Sequence, residues 1–382
     1  MKNLMITLLL LLFLLIISSS IQAKTIEEIL VVGLSRTNED VVINQLPFNE
    51  GDEWKEEYRK WTLNRLSDSG IFSYEPQRIT TENISEDKLR VIIRLADPSL
   101  FYIDPAEYTI SNLSMLTARR FRQNIYNFSG KGERIWVNIN WNNNYSYETG
   151  LTFPIKKGLS SLNIKNYKNE RKTYLEKGYL VETDYNYWHN SKFFQQFKLA
   201  YQKGDFDYNE QKIIIPAISI FWQDTFSLGT IIQSGINLTD DNKFIKTEGV
   251  FHKKVSPWNI LLRSGLLSNN TPDNHHYYLG GVGELPLRAE VDKKKATAYL
   301  LGSVEYCIEM EAPLTPIVFA DGTVFKKNLE DDYKNVFNVG FGLAYNTPLG
   351  IPFRFDYAYN PETADSSLRF GFGHSSWFNR IN

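Results

Sequence analysis

The sequence predicts a mainly β protein: a transmembrane antiparallel β-barrel of sixteen strands, preceded by one small α+β domain. Three observations lead there. The chain opens with the leader of an exported protein, and long stretches alternate strictly between apolar and polar residues. Aromatic residues are also abundant, 24 Phe, 22 Tyr and 8 Trp in 382 residues, as the interfacial girdles of a membrane barrel require.

The leader comes first. Lys2 begins a short charged region, Leu4 to Ile17 is apolar except for Thr7, and small residues run down to Ala23. That pattern is a secretory signal peptide over residues 1–23. Its apolar run is shorter than the roughly 20 residues a spanning helix needs. Lys24, not Cys, follows the expected cut, so no lipoprotein anchor is indicated. The net charge of -2 offers no basic surface, so nucleic acid is not expected as a partner. Cys307 is the only cysteine, which excludes an intrachain disulfide and a cysteine-rich metal site. Five scattered histidines leave little for metal chemistry, and no phosphate-cradling GxxxxGK loop is present, so no metal or cofactor is expected.

Residues 24–97 read as a compact mixed unit. "IEEILVVGL" (Ile26–Leu34) is a strand, and Thr37 or Asn38 can cap a short helix running to Leu46. "GDEW" opens a second helix with Trp54, Tyr58, Trp61 and Leu66 on one face, and Gly70 stops it. Two strands close the unit around "IFSYEPQRI" and "KLRVIIRLA". This order, with "LSDSGIF" at the end of the second helix, resembles a POTRA domain. The resemblance implies a periplasmic module that engages client polypeptides, for instance as an added strand along a sheet edge. A generic small α+β domain is the alternative.

Residues 98–382 carry the barrel. In "ERIWVNINW", Ile135, Val137, Ile139 and Trp141 oppose Arg134, Trp136, Asn138 and Asn140. "FNVGFGLAY" sets Phe337, Val339, Phe341, Leu343 and Tyr345 against Asn338, Gly340, Gly342 and Ala344. "FRFDYAY" and "LRFGFGH" repeat the pattern. An apolar face toward lipid and a polar one toward the lumen fits a membrane barrel, with runs of about 9–11 residues per strand. Nine strands are expected from Glu133 to Ser268, five after Lys295, and two weaker ones in 99–130 make an even total. Pro216 within "KIIIPAISIFW" conflicts with a regular ladder unless it marks a bulge. A membrane sheet must close to pair its backbone. The weak first strand and the last strand are therefore expected to meet at a seam that opens easily.

One loop, from about Asn269 to Lys295, is too long and too apolar to be simple solvated chain. It contains Tyr277, Tyr278, Leu279, Gly280, Gly281, Leu285, Leu287 and a single arginine, Arg288. Folded into the lumen, that arginine needs carboxylate partners, and its fork suits two. Glu305, on the face of Ser303, Cys307 and Glu309, and Asp321 in the next strand are candidates. By pattern alone each also reads as an ordinary lumenal residue.

From Tyr277 to the C-terminus the chain resembles the BamA/TamA superfamily of outer-membrane protein-transport barrels. Leu287-Arg288 match the first half of that family's Val/Ile-Arg-Gly-aromatic loop motif, and Gly280-Gly281 precede it as in the family. "NTPLGIPFRFDYAY" resembles the penultimate hairpin and "FGFGH" the final strand. The resemblance implies a loop inside the barrel, with Arg288 contacting Glu305 and Asp321. Ala289 and Glu290 depart from the motif's glycine and aromatic. An alanine held at positive φ would be strained. The implied function is insertion or translocation at the bacterial outer membrane. Client polypeptides would meet residues 24–97, outer-membrane lipid would surround the barrel, and accessory assembly proteins could take part. A passive porin is the alternative. An outer-membrane hydrolase around His275-His276 lacks a nucleophile elbow such as GxSxG, so no enzyme activity is expected.

Overall fold

The computed structural model describes residues 24–72, 77–102, 108–109, 112, 119–141, 145–170, 175–190, 192–206, 209–280, 287–289, 294–308, 310, 314–346 and 352–372. The signal peptide expected at 1–23, together with Gly281, Leu285, Glu290 and Glu309, lies outside them.

The first unit follows the expected order. Strand β1 (Thr25–Val32) leads to helices α1 (Glu39–Ile43) and α2 (Glu56–Asp68), then to β2 (Arg78–Asn83) and β3 (Lys88–Arg94). β3 is central, parallel to β1 and antiparallel to β2. Asn38 caps α1, its side chain accepting from Asp40 N–H at 3.0 Å. α2 starts at Glu56, one turn later than "GDEW", and Gly70 follows it at φ +60°. Alternation along β3 buries Leu89, Val91 and Ile93 against Ile26, Val42 and Leu66. Of the strand expected over Ile71–Ile79, Ile71 and Phe72 are drawn into this core instead, 73–76 lie outside the described residues, and β2 runs from Arg78.

Fifteen strands form one antiparallel sheet. They are β4 (Arg120–Tyr126), β5 (Arg134–Trp141), β6 (Tyr145–Ile155), β7 (Gly158–Glu170), β8 (Leu175–Trp188), β9 (Phe193–Phe206), β10 (Asn209–Gln223), β11 (Ser227–Asn237), β12 (Lys243–Val255) and β13 (Trp258–Leu267). After the loop segments β14 (Tyr277–Leu279) and β15 (Lys294–Ala296) come β16 (Ala298–Cys307), β17 (Leu314–Lys326), β18 (Lys334–Asn346), β19 (Pro352–Tyr359) and β20 (Ser366–Phe372). Every strand pairs with its sequence neighbour, except that β13 pairs with β16 and leaves the loop outside the ladder. The nine strands and the five expected on either side of the loop are all present. Of the two expected in 99–130, β4 is present. The Tyr126 N–H also donates to the Leu100 carbonyl at 2.8 Å, so the incoming chain runs beside β4. Most of 103–118 lies outside the described residues, and among those described no ladder joins β4 to β20.

Alternation sets the two faces as expected. On β16, Leu300, Val304 and Tyr306 point outward, while Tyr299, Leu301, Ser303 and Glu305 are buried inside. On β18, Phe337, Val339 and Phe341 are exposed and Asn338 is buried. Pro216 pairs with Leu199 on β9, while pairing to β11 is interrupted between Ile214 and Ala217 with the register the same on either side, so it marks a gap in the ladder left by its missing N–H and no bulge.

The first unit sits on one end of the barrel, called here the near end. Gln45 Nε2 donates to the carbonyls of Ile155 (2.8 Å) and Gly158 (3.2 Å) at the β6–β7 turn. Lys157 N–H donates to the Asn44 carbonyl at 3.1 Å, and Asn38 N–H to the Gly130 carbonyl at 2.8 Å in the β4–β5 turn. Asn127, left-handed at φ 48°, accepts from Gly132 N–H (2.7 Å) and donates to Thr37 Oγ1, which itself donates to Asp97. The long loop leaves the sheet at the opposite, far end.

Candidate functional site: the loop inside the barrel

The loop enters the barrel as a hairpin-like excursion. Tyr277–Leu279 pair antiparallel with Lys294–Ala296, and residues 287–289 between them lie buried inside. Gly280 turns at φ +78°, a conformation strained for any residue with a Cβ. Leu287 is fully buried in an apolar cluster with Leu267, Leu279, Tyr299, Leu301 and Phe325. Ala298 on β16 pairs with Leu266 at the far rim, while Arg288 meets Ser303 and Glu305 five and seven residues further down the strand. At about 3.4 Å per residue the tip descends roughly 17–24 Å into the lumen.

Arg288 is completely buried. Its Nη2 donates to Glu305 Oε1 at 2.8 Å and to Ser303 Oγ at 3.2 Å, and its Nε lies 3.4 Å from Asp321 Oδ2. Ser303 and Asp321 face each other across the β16–β17 ladder, and the serine hydroxyl donates to Asp321 Oδ1 at 2.6 Å. The guanidinium lies 3.8 Å over the Phe319 ring. Phe319 has room because it faces Gly340, where a Cβ would stand 2.4 Å from the ring.

The wall beyond completes the arrangement. Arg354 Nη2 donates to Glu305 Oε1 at 2.7 Å, and its Nε binds Asp356 at 3.0 Å. Asn259 on β13 donates to Glu305 Oε2 at 3.0 Å. Arg369 on β20, cross-strand neighbour of Asp356, donates to the Leu287 carbonyl at 3.0 Å, and Ser367 Oγ donates to the Arg288 carbonyl. Three arginines and three carboxylates thus lie together on the inner faces of β16, β17, β19, β20 and the loop, with their formal charges balanced. Such buried networks add little net stability but penalise any rearrangement that separates the partners. The cluster therefore fixes the tip of the loop against the last strands of the barrel. Among the described residues no grouping of His, Cys, Asp and Glu could hold a metal ion.

Of the residues singled out from sequence, the structure brings together Leu287, Arg288, Glu305 and Asp321, with Gly280 at the turn leading inward. Ala289 is not among the residues at positive φ. It is fully buried against Phe319 and Ala358, so alanine fits where strain was considered. Sequence reasoning missed Arg354, Asp356 and Arg369 as members of the cluster. The alternation of "FRFDYAY" puts Arg354 and Asp356 on the polar face of their strand. What was lacking was the register setting them level with Glu305.

Comparison with known proteins shows where an antiparallel sheet braced from within by a loop tip also occurs. Residues 224–378 match the Omp85 superfamily domain. The fold is similar to that of BamA from Haemophilus ducreyi lacking POTRA domains 1-3, with TM-score 0.56, 15% identity, and 91% of this chain and 84% of that one covered. It is also similar to CdiB from Escherichia coli, with TM-score 0.63, 10% identity, and coverage of 92% and 76%. CdiB from Acinetobacter baumannii gives TM-score 0.61, 10% identity, and coverage of 92% and 74%. No curated protein matches the sequence. The family match thus covers the C-terminal part of the barrel, and over most of the chain the fold is similar to that of BamA and CdiB.

Proposed function

We propose that this protein inserts or translocates client polypeptides at the bacterial outer membrane, with residues 24–97 acting as a POTRA domain in the periplasm. Clients meet that domain at the near end of the barrel. They then leave through a sixteen-strand wall that opens where its first and last strands meet. Arg288 braces the loop against β16–β20, so the last strands stay ordered while the seam parts.

The observation that carries this reading is the contact of residues 287–289 with the buried charges of the final strands. A passive pore has no need of a loop tied to the strands beside the seam. The docking of the first unit on two adjacent turns supports it too, since force on that unit reaches β4–β7 directly.

The test is reconstitution in liposomes with an unfolded outer-membrane client, comparing the whole chain with one lacking residues 24–97. Protease-protected client should accumulate with the whole chain and fall to background with the truncated one. Steady conductance unchanged by the deletion, with no client protected by either form, would instead identify a porin.

A further inference from the structure

Helix α2 carries buried polar atoms that lack a hydrogen-bond partner among the described residues, and Arg65 among them faces the barrel. Arg65 is only 3% exposed, yet its Nε, Nη1 and Nη2 lack a hydrogen-bond partner among the described residues. Trp61 Nε1 and Thr62 Oγ1, on the same helical face, are likewise buried and unbonded. Burial pulls Arg65 down to about 10, so it stays charged at neutral pH. An isolated buried cation is costly and calls for an anion. The side chains facing Arg65 electrostatically are Tyr185 and Tyr187, phenols rather than carboxylates. The other arginine of the helix, Arg59, is already paired with Glu56.

The surroundings indicate where the anion comes from. On β8, Glu176 is buried inside and Tyr179 is exposed, so the odd-numbered tyrosines 179, 185 and 187 face lipid. Tyr185 and Tyr187 lie at the near end, level with the membrane interface, where aromatic girdles sit. Tyr185 Oη donates to the Lys156 carbonyl at 3.4 Å, which sets the Lys156-Lys157 turn beside the same spot. The donors are all N–H or O–H groups, the net local charge is positive, and the place is the headgroup layer.

We propose that Arg65, with Trp61 and Thr62, binds the phosphate of a phospholipid headgroup in the leaflet at the near end of the barrel. The guanidinium, closed in here, turns out beside the outward tyrosines of β8 to meet the lipid, whose phosphate oxygens accept from it and, as the headgroup settles against α2, from the indole N–H and the hydroxyl. Bound there, it holds the first unit against the barrel from the lipid side, as Gln45 holds it from the turns. This proposal does not depend on which clients the barrel handles.

The full chain, folded in dodecyl maltoside, is titrated with dihexanoyl-phosphatidylglycerol, with dihexanoylglycerol and inorganic phosphate as separate arms. Retained lipid is counted by native mass spectrometry and the thermal midpoint is followed. The wild type should retain a single phospholipid and gain stability from it. Arg65→Met should fold at least as stably as wild type without lipid, because a lone buried charge is gone. It should bind the phospholipid about tenfold or more weakly, while Arg65→Lys keeps part of the affinity. Equal retention by wild type and Arg65→Met overturns the proposal. So does an equal stabilisation by dihexanoylglycerol, which has no phosphate, and the wild type alone decides that arm. Saturation by inorganic phosphate at the same concentration overturns the lipid assignment.

Discussion

Replacing Arg288 by alanine removes the guanidinium that is ion-paired with Asp321. Asp321 is fully buried and then keeps, as hydrogen bonds among the described residues, the Ser303 hydroxyl at 2.6 Å and the residue 288 N–H at 3.4 Å. Glu305 fares better, since Arg354 at 2.7 Å and Asn259 at 3.0 Å remain. The cost therefore falls mainly on Asp321. Stripping one partner from a buried ion pair costs about 3–5 kcal/mol, and loss of the stack on Phe319 adds about 1 kcal/mol or more. Arg288→Ala should accordingly destabilise the barrel by roughly 4–6 kcal/mol. Asp321→Ala in the Arg288→Ala background should recover part of that, because no uncompensated carboxylate is left. The double mutant should cost about 1–3 kcal/mol less than the sum of the singles. The assay is urea denaturation of the refolded protein in detergent, scored by heat-modifiable gel mobility. Additivity within about 0.5 kcal/mol, or an Arg288→Ala midpoint equal to wild type, would show that the loop does not bind the wall through this residue.

Other outcomes follow from the same geometry. Gly340→Val should destabilise the barrel by about 1–3 kcal/mol or more, since its Cβ would meet the Phe319 ring at 2.4 Å and the Tyr357 carbonyl at 2.2 Å. Limited proteolysis should then cut the released loop. Arg354→Gln should cost about 3 kcal/mol in the same urea assay. Arg354→Lys should rescue it only in part, because an ammonium cannot serve Glu305 and Asp356 as a planar fork does. Docking of the first unit should be acid-sensitive. Burial pushes Asp97 up, but hydrogen bonds from Thr37, Arg36 and Ser35 outweigh it and hold the carboxyl at about 2, below its ordinary 3.8. A folded value below the unfolded one gives stability that is present above about pH 4 and lost as pH falls toward 2. Hydrogen exchange in residues 35–44 should rise over that window, and Asp97→Asn should flatten the dependence.

Much of the architecture was legible in the sequence because alternation is a local property. Ile135 to Trp141, Phe337 to Tyr345 and Phe353 to Tyr359 each declare their two faces without reference to any other strand. Helix caps and stops are equally local, and Asn38 and Gly70 stand where their chemistry put them. The loop arginine and its two carboxylates were nameable because residue type, spacing and resemblance agreed on them. Register was not legible. That Ser303 faces Asp321, that Asp356 faces Arg369, and that Arg354 reaches Glu305 past the strands between depends on how far each strand slides against the next. A slip of one residue turns every side chain to the other face. The sequence by itself determined which residues face the lumen, through polarity repeated at every second position. Only the tertiary structure decided which of them meet, because buried charges stabilise one mutual arrangement of strands and loop, and that arrangement exists only once all of them are in place.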